Sequence, residues 1–235
     1  MIGIIGAMKI EVDGIIAAMT DTETTVRCGT PFTKGKLSGV PTVIARCGAG
    51  KVNAAMCAAV MQECYTPKVI ISTGVAGGIG EGVKIGDLVI ATHAVQYDYD
   101  TTAIGEPKSF VPLGGSGRET VELPTSEKHN AVLAEFAAKI YKGVHRGVIA
   151  TGDRFVADPD FCEALRAEYG AVSCEMETGA IAHVCAASGV PFSGLRAISD
   201  NANDDGKVDF MTFATDSAEK CITLLKAAAE ALYNI

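Results

Sequence analysis

The chain predicts an α/β sandwich on a largely parallel or mixed sheet, and three observations carry that fold class. Short β-rich runs ending in glycine or a polar residue recur, helical patterns follow most of them, and neither an internal repeat nor a linker interrupts the series. With 235 residues, 48% of them hydrophobic, the chain is long enough to bury one sizeable core, so residues 1–235 read as a single domain. Ile2–Ile5 opens as a strand. Thr42–Ala45 and Lys68–Ser72 are strands flanking Lys51–Cys64, whose apolar residues at three- and four-residue spacing predict a helix. The strand Asp87–Ala91 precedes the helix Thr125–Tyr141, and the strand Gly147–Ala150 precedes the helix Asp158–Tyr169. Helix Thr178–Ser188, strand Val190–Ile198 and helix Thr212–Tyr233 complete the series. Between them, Tyr97–Leu123 is too long for an ordinary connector, and its Tyr97, Tyr99, Ile104, Phe110 and Val111 suit a lid or a subunit interface better than open solvent.

Composition excludes several classes. A net charge of −8 argues against an electrostatic nucleic-acid binder, which concentrates Lys and Arg on one face. No apolar run reaches the roughly 18 residues of a membrane span, and Met1-Ile2-Gly3-Ile4-Ile5-Gly6 lacks the basic start of a signal peptide, so a cytoplasmic protein is expected. The eight cysteines carry no CxxC or zinc-like spacing and read as free, buried thiols. His93, His129, His145 and His183 have neither metal spacing nor a nucleophile elbow nearby, so they read as structural or exposed.

Chemistry concentrates at strand ends, where ligands on such sheets bind. Glu175-Met176-Glu177 puts two carboxylates beside an apolar run, and buried carboxylates need a partner. They either meet a helix dipole or face a polar ligand; beyond the strand end one of the two faces any given site. The glycine-rich Gly74–Gly80 follows the strand Val69–Ser72 and either bares backbone N–H groups to a ligand or simply forms tight turns, without the spacing of a dinucleotide fingerprint. Gly48-Ala49-Gly50-Lys51 imitates a P-loop but lacks its upstream glycine and the Ser or Thr after lysine. Glu11 follows the first strand, either capping a helix or lining a site. Asp200 ends the segment that contains Arg196, and a buried arginine there calls for Glu11 or Glu177. The acids of Asn201–Gly206 read as a solvated loop without calcium-binding spacing.

Together, Gly3–Met8 with Glu11, Ser72–Gly78, Gly152-Asp153-Arg154-Phe155, Glu175-Met176-Glu177 and Arg196–Asp200 resemble the 5′-methylthioadenosine/S-adenosylhomocysteine nucleosidases of the nucleoside phosphorylase superfamily, from first strand to last helix. The resemblance implies a three-layer α/β/α sandwich around a mixed, barrel-like sheet, a homodimer, and no metal or organic cofactor. It implies Asp200 as the acid that protonates the departing adenine and Glu11 as the residue that activates water. Glu177 would bind the ribose hydroxyls, and Arg196 would hold the carboxylates and water. Val156 and the Ala76-Gly77 turn would address adenine through their backbone, Phe155 would stack on it, and Met176 would pack on the ribose. Met8, Ala49 and Phe210 would line the 5′ pocket, with Ile104 and Pro112 reaching in from the second subunit. Three positions depart from the family pattern: Val75 replaces a frequent serine, Ala49 a larger aliphatic residue and Ile104 a phenylalanine. The alternatives are a purine nucleoside phosphorylase, disfavoured because Ser72 stands where related phosphorylases carry an arginine, and a non-catalytic nucleoside-binding protein on the same fold.

Overall fold

A computed structural model describes residues 1–202 and 206–235. Strand β1 (Ile2–Gly6) leads into helix α1 (Lys9–Ala17), and β2 (Met19–Arg27), β3 (Thr30–Leu37) and β4 (Val40–Arg46) form a meander before α2 (Lys51–Tyr65). After β5 (Val69–Gly78) and β6 (Leu88–Gln96), a long connection carries the two-residue strands β7 (Val111–Pro112), β8 (Glu119–Thr120) and β9 (Leu123–Pro124). Then follow α3 (Glu127–Ala137), β10 (Val144–Thr151), α4 (Pro159–Tyr169), β11 (Ala171–Glu175), α5 (Thr178–Ser188), β12 (Phe192–Asp200) and α6 (Gly206–Tyr233).

The main sheet runs in the order β11-β10-β6-β12-β5-β1-β4-β3-β2, and an antiparallel pairing of β11 with β5 closes part of it into a mixed barrel. Successive strand residues point to opposite faces, so Ile4 and Ile71 pack with α1, α3 and α6 while their neighbours Ile5 and Ile70 pack with α2 and α5. Helices thus cover both faces, which explains why every residue of β1 and β5 is buried. This is the three-layer, barrel-like α/β architecture expected. None of the described helices is long and apolar enough to cross a membrane.

Several local expectations change. The segment from Gly74 to Gly78 does not turn but continues β5. Its glycines clear space: a Cβ on Gly74 would meet Glu11 Oε1 at 2.5 Å, and one on Gly77 would meet Asp200 Oδ1 at 3.0 Å. The β2–β3–β4 meander has no clear apolar alternation in β2 to mark it in the sequence. It turns at Cys28-Gly29 and Ser38-Gly39, where all four residues have positive φ, as two-residue hairpin loops matched to strand twist require. The long connection is partly core, since Val111 and Leu113 are buried, whereas Ile104 is 76% exposed. All eight cysteines are free, but Cys28 and Cys64 are exposed rather than buried. Of the expected solvated acidic loop, residues 203–205 lie outside the described residues.

Candidate active site

A cavity of about 220 Å³ opens where β1, β5, β11 and β12 end, so residues distant in sequence share one wall. Its lining includes Met8, Glu11, Ala49, Ala76, Gly77, Phe155, Val156, Met176, Glu177, Asp200 and Phe210. Arg196 is not among the residues that line it, and Ile104 and Pro112 lie outside it in their own chain.

Glu11 sits in the first turn of α1, and its carboxylate is fully oriented by backbone. Oε2 accepts from Ala7 N at 2.8 Å and Met8 N at 2.7 Å, and Oε1 accepts from Val75 N at 3.1 Å. Capping the helix and facing the cavity are therefore tasks of one side chain. Burial raises its carboxyl above the ordinary value, opposed by Arg196 and by those N–H groups. The approach of Oε1 to β5 depends on the missing side chain of Gly74.

Asp200 follows a register shift between Ile198 and Asp200 in the pairing of β12 with β5. Such an irregularity re-aims a strand residue, here beside Gly77. Ser199 Oγ donates to Oδ2 and Ala202 N to Oδ1, both at 2.9 Å. Burial pushes this carboxyl up, and Asp209 adds to the rise. A group of that kind holds a proton closer to neutral pH than a free aspartate does.

The two glutamates of β11 and its exit divide their work. Glu175 is a buried part of the cavity wall whose carboxylate is fully engaged: Oε2 accepts from Arg196 Nη2 at 2.6 Å, Arg196 Nε at 3.1 Å, Glu177 N at 3.0 Å, Thr178 N at 2.8 Å and Thr178 Oγ1 at 2.9 Å, while Oε1 accepts from Thr151 Oγ1. Burial works to raise its carboxyl, but Arg196 and these donors outweigh burial and hold it below the ordinary value. Among the described residues, Glu177 Oε1 takes a single donor, Gly50 N at 2.8 Å. Burial, aided by the charge of Glu175, pushes its carboxyl up to about 7. The partner expected for Arg196 was Glu11 or Glu177, and that expectation is corrected: barrel closure brings Glu175 to it instead. Arg196 also donates to Ser72 Oγ and Leu195 O, both at 2.9 Å, so it underpins the site from behind rather than from within the cavity.

The remaining wall is apolar. Phe155 is half-exposed at the mouth and packs edge-on against Phe210 at 5.8 Å between centroids, while Met8 and Phe210 pack around Val75. Ile104 is in the long connection, and the Pro112 carbonyl accepts from His183 Nε2 at 2.8 Å. Ala7, Val75, Arg154, Cys174, Glu175 and Ser199 also line the cavity without having been assigned to it. For Glu175 the signal was available: a carboxylate at the end of an apolar strand, in a chain with a buried arginine. Arg154, the cation on the cavity wall, pairs with Asp158 at 3.1 Å. Among the described residues no group of His, Cys, Asp and Glu is suited to hold a metal ion.

A family model described as the phosphorylase superfamily matches residues 1–230. The chain is 39% identical to a 5′-methylthioadenosine/S-adenosylhomocysteine nucleosidase of Shewanella loihica, over 96% of this chain and 98% of that protein. Its fold resembles a mutant of the Helicobacter pylori MTAN with 5′-methylthioadenosine in the active site (TM-score 0.91, 32% identity, 98% of each chain covered). It also resembles a futalosine hydrolase of Helicobacter pylori (TM-score 0.90, 34% identity, 98% of this chain and 97% of that one). With the match spanning nearly every residue and the cavity at the strand ends, the chain belongs to the phosphorylase superfamily, among the 5′-methylthioadenosine/S-adenosylhomocysteine nucleosidases.

Proposed function

We propose that this protein, acting as one domain, hydrolyses the N-glycosidic bond of 5′-methylthioadenosine, S-adenosylhomocysteine and related 5′-substituted adenosines, releasing adenine and the free thioribose. The observation that carries the reading is one cavity lined by Glu11, Glu177 and Asp200, each carboxyl raised toward neutrality by burial and each held by different donors. Breaking the bond builds positive charge on the ribose and negative charge on adenine. Asp200, protonated, gives its proton to adenine N7 as the C1′–N9 electron pair leaves with the base. Glu177, ionised, accepts hydrogen bonds from the ribose hydroxyls and stabilises the cationic sugar. Glu11 takes a proton from water as its oxygen bonds to C1′. Phe155 stacks on the base, which the backbone of Val156, Ala76 and Gly77 addresses, and Met176 packs on the ribose. Met8, Ala49 and Phe210 face the 5′ group.

Water rather than phosphate is the acceptor in this reading, because phosphate needs an available cation. Arg196 is neutralised by Glu175 and Arg154 is engaged by Asp158. In the cell the activity fits methionine salvage in the cytoplasm, by a homodimer in which Ile104 and Pro112 close the partner's 5′ pocket. Incubation with methylthioadenosine, S-adenosylhomocysteine, 5′-deoxyadenosine and aminodeoxyfutalosine in phosphate-free buffer tests the reading. Free adenine plus free sugar is expected. Release that requires phosphate or arsenate would identify a phosphorylase, and binding without release a non-catalytic protein.

A further inference from the structure

The segment Gly48-Ala49-Gly50 places Ala49 in the cavity between two glycines of positive φ, 86° and 95°, so its backbone is intrinsically free to move. From α2, Asn53 Nδ2 donates to Ala49 O at 2.8 Å and Ala54 N to Gly50 O at 3.1 Å, and three long-range contacts pin the segment further. Gly48 N donates to Ala7 O at 3.1 Å, Gly50 N to Glu177 Oε1 at 2.8 Å, and Lys51 N to Asp153 Oδ1 at 2.8 Å. The third caps α2. Gly50 is the residue that opens α2 and has no side chain to cap it, so Asp153, from the loop after β10, supplies the cap across a sequence distance of 102 residues. Asp153 is itself braced: Asp98 Oδ2 accepts from its backbone N at 2.9 Å, and Asp98 Oδ1 accepts from Lys51 Nζ at 2.5 Å. Lys51, Asp98 and Asp153 thus form a closed ring of contacts linking the start of α2 to the loop that carries Phe155. Adjacent amides at the start of α2, those of its capping residue Gly50 and of Lys51, hold the two carboxylates from two different loops.

We propose that Asp153, braced by Asp98 and Lys51, is a positioning residue that fixes the Gly50 N–H on Glu177 and thereby sets how tightly the ribose is held. The proposal rests on the nucleosidase reading of Glu177 as the ribose-binding carboxylate. Without the Asp153 carboxylate, the start of α2 loses its cap and the glycine-flanked turn loses one of its three long-range anchors, so the Gly50 N–H that orients Glu177 is held less firmly. Adenine does not use this contact. Asp153 therefore acts on the sugar half of the ligand, although it lies two residues before Phe155 on the base side.

Calorimetric binding of methylthioadenosine and of adenine alone tests this, using Asp200→Asn protein so that turnover does not consume the ligand. Adding Asp153→Ala is expected to weaken methylthioadenosine about tenfold and adenine less than about twofold, with Asp153→Asn, which retains an acceptor for Lys51 N, recovering most of the loss. In a Glu177→Ala background the Asp153→Ala effect on methylthioadenosine should shrink below about threefold, because the group through which it acts is gone. Equal weakening of both ligands, or an undiminished loss in the Glu177→Ala background, would overturn the proposal and leave Asp153 as a support of the base-side loop. Failure of the nucleosidase reading looks different: the unsubstituted protein would release no adenine, or Glu177→Ala would leave methylthioadenosine affinity unchanged.

Discussion

Glu175 and Arg196 form a buried pair in which one carboxylate oxygen meets two guanidinium nitrogens, at 2.6 and 3.1 Å, with the side chains 3% and 2% exposed. The same oxygen collects the N–H groups of Glu177 and Thr178, so this ion pair also fixes the backbone from which Glu177 enters the cavity. Replacing one member of a buried pair leaves the other uncompensated, at a cost of about 3–5 kcal/mol. Glu175→Gln keeps the shape and should destabilise the fold by that amount in urea unfolding at pH 7.5. A loss below about 1 kcal/mol would mean that the donors around Glu175, rather than its charge, hold this region together.

Asp200→Asn should abolish turnover of methylthioadenosine while the fold persists. The amide preserves an acceptor for Ala202 N but has no proton to give to N7. General acid catalysis contributes about 10²–10⁴-fold, and kcat should fall by that factor. A folded variant that loses less than about tenfold would remove Asp200 from the acid role.

Glu177 predicts pH effects of opposite sign on binding and on stability. Ligand binding uses the ionised form, so methylthioadenosine affinity, measured in Asp200→Asn protein, should fall as pH drops below about 7. Stability runs the other way: with the folded value above the unfolded value of 4.5, the native state holds the proton longer, and the stability this contributes is lost as pH rises from about 4.5 to about 7. Glu177→Gln removes the penalty and should be more stable than the parent at pH 8, by on the order of 3 kcal/mol, with little difference at pH 4. Parallel stability curves for parent and variant across that range would show that Glu177 titrates normally.

Much of this was legible in the chain, because local patterns determine helices and strand ends. Thr178–Ser188 was read to the residue, and Glu11, Glu177 and Asp200 stood out as acids where apolar strands stop. What stayed hidden depends on contacts remote in sequence. Only two residue pairs, Ser173 with Gly78 and Cys174 with Gly77, join β11 to β5, yet that closure decides that Arg196 meets Glu175. No local pattern announces it. The glycines from Gly74 suggest a turn because glycine commonly makes one, whereas here they admit carboxylates against a strand. The β2–β3 hairpin escaped notice because β2 is almost wholly exposed and lacks apolar alternation, although its threonines and the Cys28-Gly29 turn were available signals.

Ile104, 76% exposed, tests the proposed homodimer. In a twofold interface a substitution occurs twice, so if Ile104 lies in the proposed one, Ile104→Asp buries two unpaired charges. It should weaken dimerisation in sedimentation and raise KM for nucleosides with apolar 5′ groups more than for adenosine. An unchanged dimer with unchanged 5′ selectivity would show that this loop is neither interface nor pocket wall.

Gly74→Ala separates the orientation of Glu11 from its presence. The added methyl would sit 2.5 Å from Glu11 Oε1 and 3.0 Å from Cδ, so the carboxylate must swing away from β5 and give up the Val75 N–H. A flexible side chain makes that movement cheap for the fold, and the expected loss of stability is about 1–2 kcal/mol. It is expensive for the reaction. Displacing a general base by even about 1 Å is enough to cost about 10²-fold, and kcat should fall accordingly while adenine affinity remains within about twofold of the parent. Glu11→Gln in the same background should add little further loss, since the carboxylate is already out of position. If Gly74→Ala left kcat within about threefold of the parent, the placement of the Glu11 carboxylate against β5 would not be what activates water.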